Sequence, residues 1–114
     1  MTRSIATAVL VLASVPALAA WPEKPIRLVL PFPPGGGADI MARPMAQKLA
    51  ESLGQQVLID NKGGSGGTIA AEFVAKAPAD GHTLFFATVG TQAINVGLYP
   101  KLNYDPVRDF APVA

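Results

Sequence analysis

The chain has 114 residues, half of them hydrophobic and 15% charged, with no cysteine and a formal net charge of +1. This composition is typical of a globular protein and excludes an intrinsically disordered chain. The lack of cysteine excludes disulfides, thiolate metal sites and a lipid-bearing cysteine, and the absence of a clustered basic face argues against nucleic acid as a partner.

Residues 1–19 are predicted to be a secretory signal peptide. Arg3 supplies a positive n-region, residues 5–15 form an apolar run, and Ala17-Leu18-Ala19 matches the small-x-small cleavage pattern. The apolar run is shorter than the roughly 20 residues that a membrane-spanning helix needs. Cleavage near Ala19 would leave a formally neutral chain. We therefore expect an exported protein in the bacterial periplasm, which permits disulfides without requiring them.

The remaining sequence predicts an α/β fold, a parallel sheet with flanking helices. Short apolar runs bounded by proline or glycine predict strands at residues 26–30, 57–59 and 83–87. Helical patterns lie between and after them, at residues 40–53, 68–77 and 92–98. Alternating strands and helices are the signature of a parallel α/β unit with right-handed connections.

The first predicted helix has recognisable start and stop signals. Asp39 suits its N-cap and Gly54 its C-terminal end. Met41 and Met45 belong to its four-residue apolar spacing, so we expect both in the core. Pro44 should cost one backbone hydrogen bond in the second turn.

Three loops follow the three predicted strands: the first loop at residues 31–39, the second at 60–67 and the third at 88–92. Because carboxyl ends of parallel strands share one sheet edge, where such sheets bind ligands, we expect the loops to converge. Free backbone N–H groups and a helix dipole at the first loop suit a small carboxylate. The candidate ligand-binding residues are Phe32, Pro33, Pro34, Gly35, Gly36, Gly37, Ala38, Asp39, Ser65, Gly66, Thr88, Gly90 and Thr91.

Other ligand chemistries lack their motifs, and we expect no metal and no cofactor. No Gly-Lys pair is present for a P-loop, and the dinucleotide fingerprint fails because Ile40 stands where its third glycine belongs. A single histidine cannot build a multi-histidine metal site, and we expect His82 in a turn or at a rim. Lys62 could either steer an anion or be a solvated turn residue.

No catalytic residue is assigned. The chain has no nucleophilic cysteine, and Gly64-Ser65-Gly66 lacks the strand-to-helix elbow of the α/β-hydrolases. Two alternatives to a transport receptor stay open. One is a secreted α/β enzyme of hydrolase type that uses Ser65 or Asp39, and the other is a ligand-sensing binding protein for a signalling receptor.

Several motifs occur in order along the chain after the signal peptide. They are Trp21-Pro22-x-Lys24-Pro25-Ile26-Arg27, Pro31-Phe32-Pro33-Pro34-Gly35-Gly36, Gly63-x-x-Gly66-Gly67, Ala75-Lys76-Ala77-Pro78-x-Asp80-Gly81, Ala93-Ile94-Asn95 and Tyr104-Asp105-Pro106-x-x-Asp109-Phe110. Together they resemble the Bug family, the extracytoplasmic solute receptors of tripartite tricarboxylate transporters. The resemblance extends over nearly all of residues 20–114.

The resemblance implies a periplasmic-binding-protein type II-like architecture of two α/β lobes, with residues 20–114 as an incomplete N-terminal lobe. In that family, backbone amides of the loop at residues 32–39 hold a ligand carboxylate, partly through waters. The loop at residues 88–91 would form a second wall, and the other lobe would supply further contacts. The implied partners are a small carboxylate and membrane transporter subunits, and we expect a monomer. Two departures are Gly37, which lengthens the glycine run, and His82, where the family often has tyrosine.

Overall fold

The computed structural model describes residues 19–114, so the predicted signal peptide lies outside the described residues except for Ala19. Three parallel strands form one sheet, with β1 at Ile26–Leu30, β2 at Val57–Asn61 and β3 at Thr83–Phe85. The strand order is β2-β1-β3, so the most apolar strand is central. This arrangement confirms the predicted parallel α/β sheet.

Helices connect the strands as the sequence predicts. Helix α1, Gly37–Leu53, joins β1 to β2, and helix α2, Thr68–Ala75, joins β2 to β3 after a short 3-10 turn at Ser65–Gly67. Beyond β3, a π-helical segment at Gly90–Ile94 continues into helix α3, Asn95–Leu98. Among residues 19–114, no helix has the length and apolar character needed to cross a membrane.

The two faces of the sheet are covered by different helices. On one face, Leu28 and Leu30 of β1 pack with Ala42 and Ala46 of α1. Because side chains alternate along a strand, Val29 lies on the other face, where α2 contributes its own buried residues. The result is a three-layer arrangement with small helix residues against branched strand residues.

The prediction that Met41 and Met45 lie in the core is wrong. Their side chains are 64% and 46% exposed. The small residues Ala42 and Ala46 face the sheet in their place, and both are buried. Four-residue spacing identified the helix correctly, but it did not separate the methionine stripe from the alanine stripe beside it.

Helix α1 begins earlier than predicted, and this changes the role of Asp39. The N-cap is Gly36, with extended backbone angles and no capping side chain, so Asp39 lies in the first turn and is not the N-cap. The predicted end is confirmed, because Gly54 is left-handed and donates its N–H to the Ala50 carbonyl at 2.9 Å. The helix continues through Pro44.

The Asp-Pro-x-x-Asp-Phe motif folds as a local turn that supports β3. The Asp105 carboxylate accepts the N–H groups of Val107 and Arg108 and the Arg108 guanidinium. These hydrogen bonds, led by the Arg108 N–H, lower the pKa of Asp105 to about 2. The turn directs Phe110 onto the Phe85 ring, with ring centres 5.6 Å apart.

Candidate functional site

The three loops leave the sheet at the same edge. The N–H of Lys62 donates to the Leu30 carbonyl, and the N–H of Phe86 donates to the Val29 carbonyl, both at 2.8 Å. The second and third loops therefore begin while still hydrogen-bonded to the central strand. All three loops lie at the carboxyl-terminal edge, where open parallel sheets bind ligands.

Gly67 is the point at which the three loops touch. Its backbone is left-handed, with φ of +88°, and it is buried. A Cβ there would lie 2.6 Å from Thr91 Cγ2 and 3.0 Å from Pro31 Cβ. Only glycine allows the second loop to approach the first and third so closely. The expected convergence of the loops is therefore present in the fold.

The first loop presents backbone donors at the start of α1. The N–H groups of Gly37 and Ala38 lie in the first turn and have no acceptor within the helix, and the N-cap residue Gly36 has no side chain that could cap them. A Cβ on Gly36 would meet only the Pro33 carbonyl oxygen at 3.9 Å, and a Cβ on Gly37 would meet nothing within 4 Å. This backbone is open to an approaching group, and the positive end of the helix dipole favours an anion there.

The Asp39 carboxylate lies behind the first loop and is only 4% exposed. It accepts hydrogen bonds from the Gly35 N–H at 3.2 Å, from Arg43 Nε at 2.7 Å and from Asn61 Nδ2 at 3.2 Å. The hydrogen bond from Arg43 lowers the pKa of Asp39 below its ordinary value, although burial acts in the opposite direction. Asp39 is therefore ionised at neutral pH, and its charge is balanced by Arg43.

The second loop is built from consecutive left-handed residues. Ser65 and Gly66 have φ of 50° and 63°, and Gly67 continues the same hand. Within residues 19–114 the Ser65 hydroxyl has no hydrogen-bond partner, and the residue is exposed. The Ser65 hydroxyl is therefore available at the edge where the loops meet.

In the third loop, two threonines cap each other. The Thr88 N–H donates to Thr91 Oγ1 at 3.0 Å, and the Thr91 N–H donates to Thr88 Oγ1 at 3.2 Å. The Thr91 hydroxyl in turn donates to the Thr88 carbonyl, and Thr91 is only 1% exposed. This reciprocal cap begins the π-helical segment, so Thr91 supports the loop while Thr88 and Gly90 stay half-buried.

Two buried polar residues that sequence reasoning gave no role hold the second and third loops. Asn95 Nδ2 donates to the Gly66 carbonyl at 2.9 Å, and the Tyr104 hydroxyl donates to the Thr91 carbonyl at 2.6 Å. These bonds join residues 29 and 13 positions apart, which local patterns do not reveal. The only sequence signal was that both residues belong to motifs shared with the Bug family.

His82 lies at the opposite, amino-terminal edge of the sheet. It lies in the predicted turn, where its N–H donates to Asp80 Oδ1 at 3.0 Å, but it is buried, at 6% exposed, and so is not a rim residue. Its Nδ1 is 3.4 Å from Asp80 and its Nε2 is 3.4 Å from Glu23, while the Trp21 ring lies 5.9 Å away, centre to centre. Because Ser65 follows β2 whereas His82 precedes β3, the described residues do not bring a histidine to the serine.

Lys62 is already engaged by its neighbours. Its Nζ is 3.5 Å from the Asp60 carboxylate and 4.2 Å from the centre of the Phe73 ring. The three loops thus combine paired charges, at Lys62 and Asp39, with unpaired backbone N–H groups.

No group of three or more potential metal-ligating side chains occurs in the part of the chain that the structure describes.

The model of the tripartite tricarboxylate transporter family receptor matches residues 41–114. The chain belongs to this family. A relative from Pseudomonas sp. strain P51, the UPF0065 protein in the tcbD-tcbE intergenic region, is 49% identical over 96 residues, covering 84% of this chain and 28% of the relative. BugT of Bordetella pertussis is 41% identical, covering 82% of this chain and 29% of BugT. The chain therefore spans less than a third of the length of these curated relatives.

Solved structures agree on the fold. MatC from Rhodopseudomonas palustris with bound malate is 45% identical, with a TM-score of 0.78, covering 82% of this chain and 32% of that one. A second R. palustris protein, solved with adipate, is 46% identical, with a TM-score of 0.72. The match covers 75% of this chain and 29% of that one. The periplasmic binding protein BugD is 36% identical, with a TM-score of 0.65, covering 81% of this chain and 30% of that one. Together with BugT, it confirms the Bug-type resemblance and the periplasmic-binding-protein fold predicted for this chain.

Proposed function

We propose that residues 20–114 form the N-terminal lobe of a two-lobe periplasmic receptor that captures a small organic acid. In this proposal residues 1–19 are the export signal, and a second lobe closes over the carboxyl-terminal edge of the sheet. The receptor works as a monomer, binds one acid per cleft and delivers it to a tripartite tricarboxylate-type transporter.

One observation carries the proposal: unpaired backbone donors lie at the sheet edge from which the three loops leave. The N–H groups of Gly37 and Ala38 lack helical partners, and the backbone around Gly36 is open. The charged residues nearby are already paired, so the site offers hydrogen bonds without a formal positive charge. The family's relatives with malate and adipate support a carboxylate as the group that fills such a site.

The proposed contacts differ between the loops. Amides of residues 36–38 hold one ligand carboxylate, while residues 32–34 shape the wall beside it. Ser65 offers its hydroxyl and Gly66 its backbone at a second wall. Thr88 and Gly90 form a third wall. Gly35, Asp39 and Thr91 support the loops without contacting the ligand.

Calorimetric titration of the intact protein with malate and with adipate tests the proposal, with the neutral diamide of each acid as a control. Replacing Gly36 by Val should abolish carboxylate binding, because the branched side chain covers the open amides. Gly36 has φ of −82°, which valine adopts, so the variant should fold. The matched control is Gly97→Val, since a Cβ at Gly97 meets nothing within 4 Å and the residue lies outside the loops.

The proposal expects binding to the unaltered protein and to Gly97→Val, with none to Gly36→Val or to the diamides. A ligand present at about a hundred times its Kd should also stabilise the fold by roughly 2.7 kcal/mol. Equal affinity of the two glycine variants would contradict the assignment of the first loop. Binding of neither acid would remove the support for a dicarboxylate receptor.

A further inference from the structure

We propose that Asp39 is a positioning residue that presents the first loop to the ligand carboxylate without contacting the ligand. This inference rests on the function proposed above and concerns how the amides are kept available. A buried carboxylate behind an anion site is unfavourable by simple charge repulsion. The hydrogen bonds that Asp39 makes must therefore account for a carboxylate at this position.

The first step concerns which amide Asp39 occupies. The N–H of Gly35 donates to Asp39 Oδ2 at 3.2 Å. Gly35 is left-handed, with φ of +89°, so the chain turns sharply just before the N-cap. By fixing that turn, Asp39 engages the Gly35 N–H, while the N–H groups of residues 36–38 make no hydrogen bond to its carboxylate and stay available to another anion.

The second step concerns Asn61, at the end of β2. Its Nδ2 donates both to Asp39 Oδ1 and to the Phe32 carbonyl, each at 3.2 Å. One side-chain amide therefore ties the beginning of the first loop to the carboxylate behind its end. Because the Phe32 carbonyl oxygen is held by Asn61, the negative end of that peptide dipole is kept from turning toward a bound anion.

The third step concerns charge. Arg43 Nε and Nη2 lie 2.7 and 3.3 Å from the two Asp39 oxygens. The pair is one helical turn apart, so it neutralises itself and adds little net field at the loop. A role in charge and a role in positioning then predict opposite effects for the loss of the Asp39 carboxylate. Charge alone predicts tighter anion binding, because Arg43 is left unpaired, whereas positioning predicts weaker binding.

The decisive experiment measures malate affinity of the intact protein by calorimetry for Asp39→Asn and for Asp39→Asn combined with Arg43→Gln. We expect both variants to bind about tenfold more weakly, the loss of roughly one charged hydrogen bond. Asp39→Glu, which keeps the charge and the acceptor, should restore part of the affinity. Asp80→Asn, at the opposite sheet edge, should bind like the unaltered protein.

Two results would overturn the inference. They are tighter binding by Asp39→Asn, and affinity of the charge-balanced double variant equal to that of the unaltered protein. If the Asp39 variants fail to fold in circular dichroism, Asn61→Ala decides, because it keeps both charges and should still weaken binding severalfold. If the unaltered protein binds no acid, the proposed function fails, whereas failure of the variants' effect alone removes only the role of Asp39.

Discussion

The two edges of the sheet offer an incoming anion very different surfaces. The amino-terminal edge, beside the end of α2, has a groove of about 710 Å³ whose lining includes Lys24, Arg27 and Lys76. Each of these cations has a carboxylate partner: Asp80 at 3.2 Å from Lys24, Asp60 at 3.7 Å from Arg27, and Glu72 beside Lys76. The carboxyl-terminal edge also has paired cations, Arg43 with Asp39 and Lys62 with Asp60, but its glycine loops add unpaired backbone N–H groups.

The difference shows that charged side chains and cavity volume do not by themselves identify an anion site. A cation with a carboxylate partner offers little net attraction to another anion, because the neighbouring negative charge opposes it. An N–H group at the start of a helix has no partner to give up. We therefore expect the carboxyl-terminal edge to bind carboxylates and the amino-terminal groove not to do so.

The largest expected effect comes from the glycine at which the loops meet. Gly67→Ala should destabilise the fold by about 2–4 kcal/mol, because it combines left-handed strain with overpacking against Thr91 and Pro31. It should also weaken carboxylate binding, because the loops can no longer close on one another. Denaturant unfolding and calorimetry measure the two effects.

The opposite edge provides the matched control. Gly81 also has positive φ, at +80°, but a Cβ there would meet mainly the Trp21 ring, a side chain that can shift. Gly81→Ala should lower stability by about 1–2 kcal/mol from backbone strain and leave carboxylate affinity unchanged. Loss of affinity in Gly81→Ala equal to that in Gly67→Ala would show that the two edges are not functionally distinct.

A smaller effect should follow from removing the link between the second and third loops. Asn95→Ala leaves the Gly66 carbonyl without its side-chain donor inside the fold, which should cost about 1–3 kcal/mol. Asn103→Ala removes an exposed hydrogen bond to Glu72 and should change stability by less than about 0.5 kcal/mol. Thermal unfolding of the two variants side by side checks the difference, and equal effects would contradict a structural role for Asn95.

The smallest effect concerns salt. Because the proposed site has no unpaired cation, malate affinity should change less than about threefold between roughly 20 mM and 500 mM sodium chloride, a range over which screening of exposed charges grows strongly. Calorimetry across this series measures it. A steep loss of affinity with salt would indicate that lysine or arginine side chains, such as those of the amino-terminal groove, hold the ligand.

The sequence predicted the order of strands and helices because each element has a local pattern. The strand at Ile26–Leu30 is almost wholly apolar, and Gly54 marks the end of α1. Convergence of the three loops also followed from a general rule about parallel sheets. The rule predicted that the loops lie at one edge of the sheet. It could not predict the contact at Gly67, which depends on the distances between residues of separate loops.

The remaining features depend on contacts between distant residues. Asp39 resembles an N-cap in the sequence, and only the position of Gly36 makes it a first-turn residue bonded to Asn61. Similarly, Thr91 offers a hydroxyl in the sequence, but that hydroxyl is used by the Thr88 carbonyl. The stripe that faces the sheet could not be chosen before the sheet itself was known.

The most direct test of the backbone-amide site is a nuclear magnetic resonance titration of the intact protein labelled with ¹⁵N-glycine. Addition of malate should shift the amide resonances of Gly36 and Gly37 the most, because their N–H groups gain a carboxylate acceptor. The resonances of Gly81 and Gly97 should stay in place. Saturable malate binding with unmoved Gly36 and Gly37 resonances, or with the largest shift at Gly81, would contradict the account.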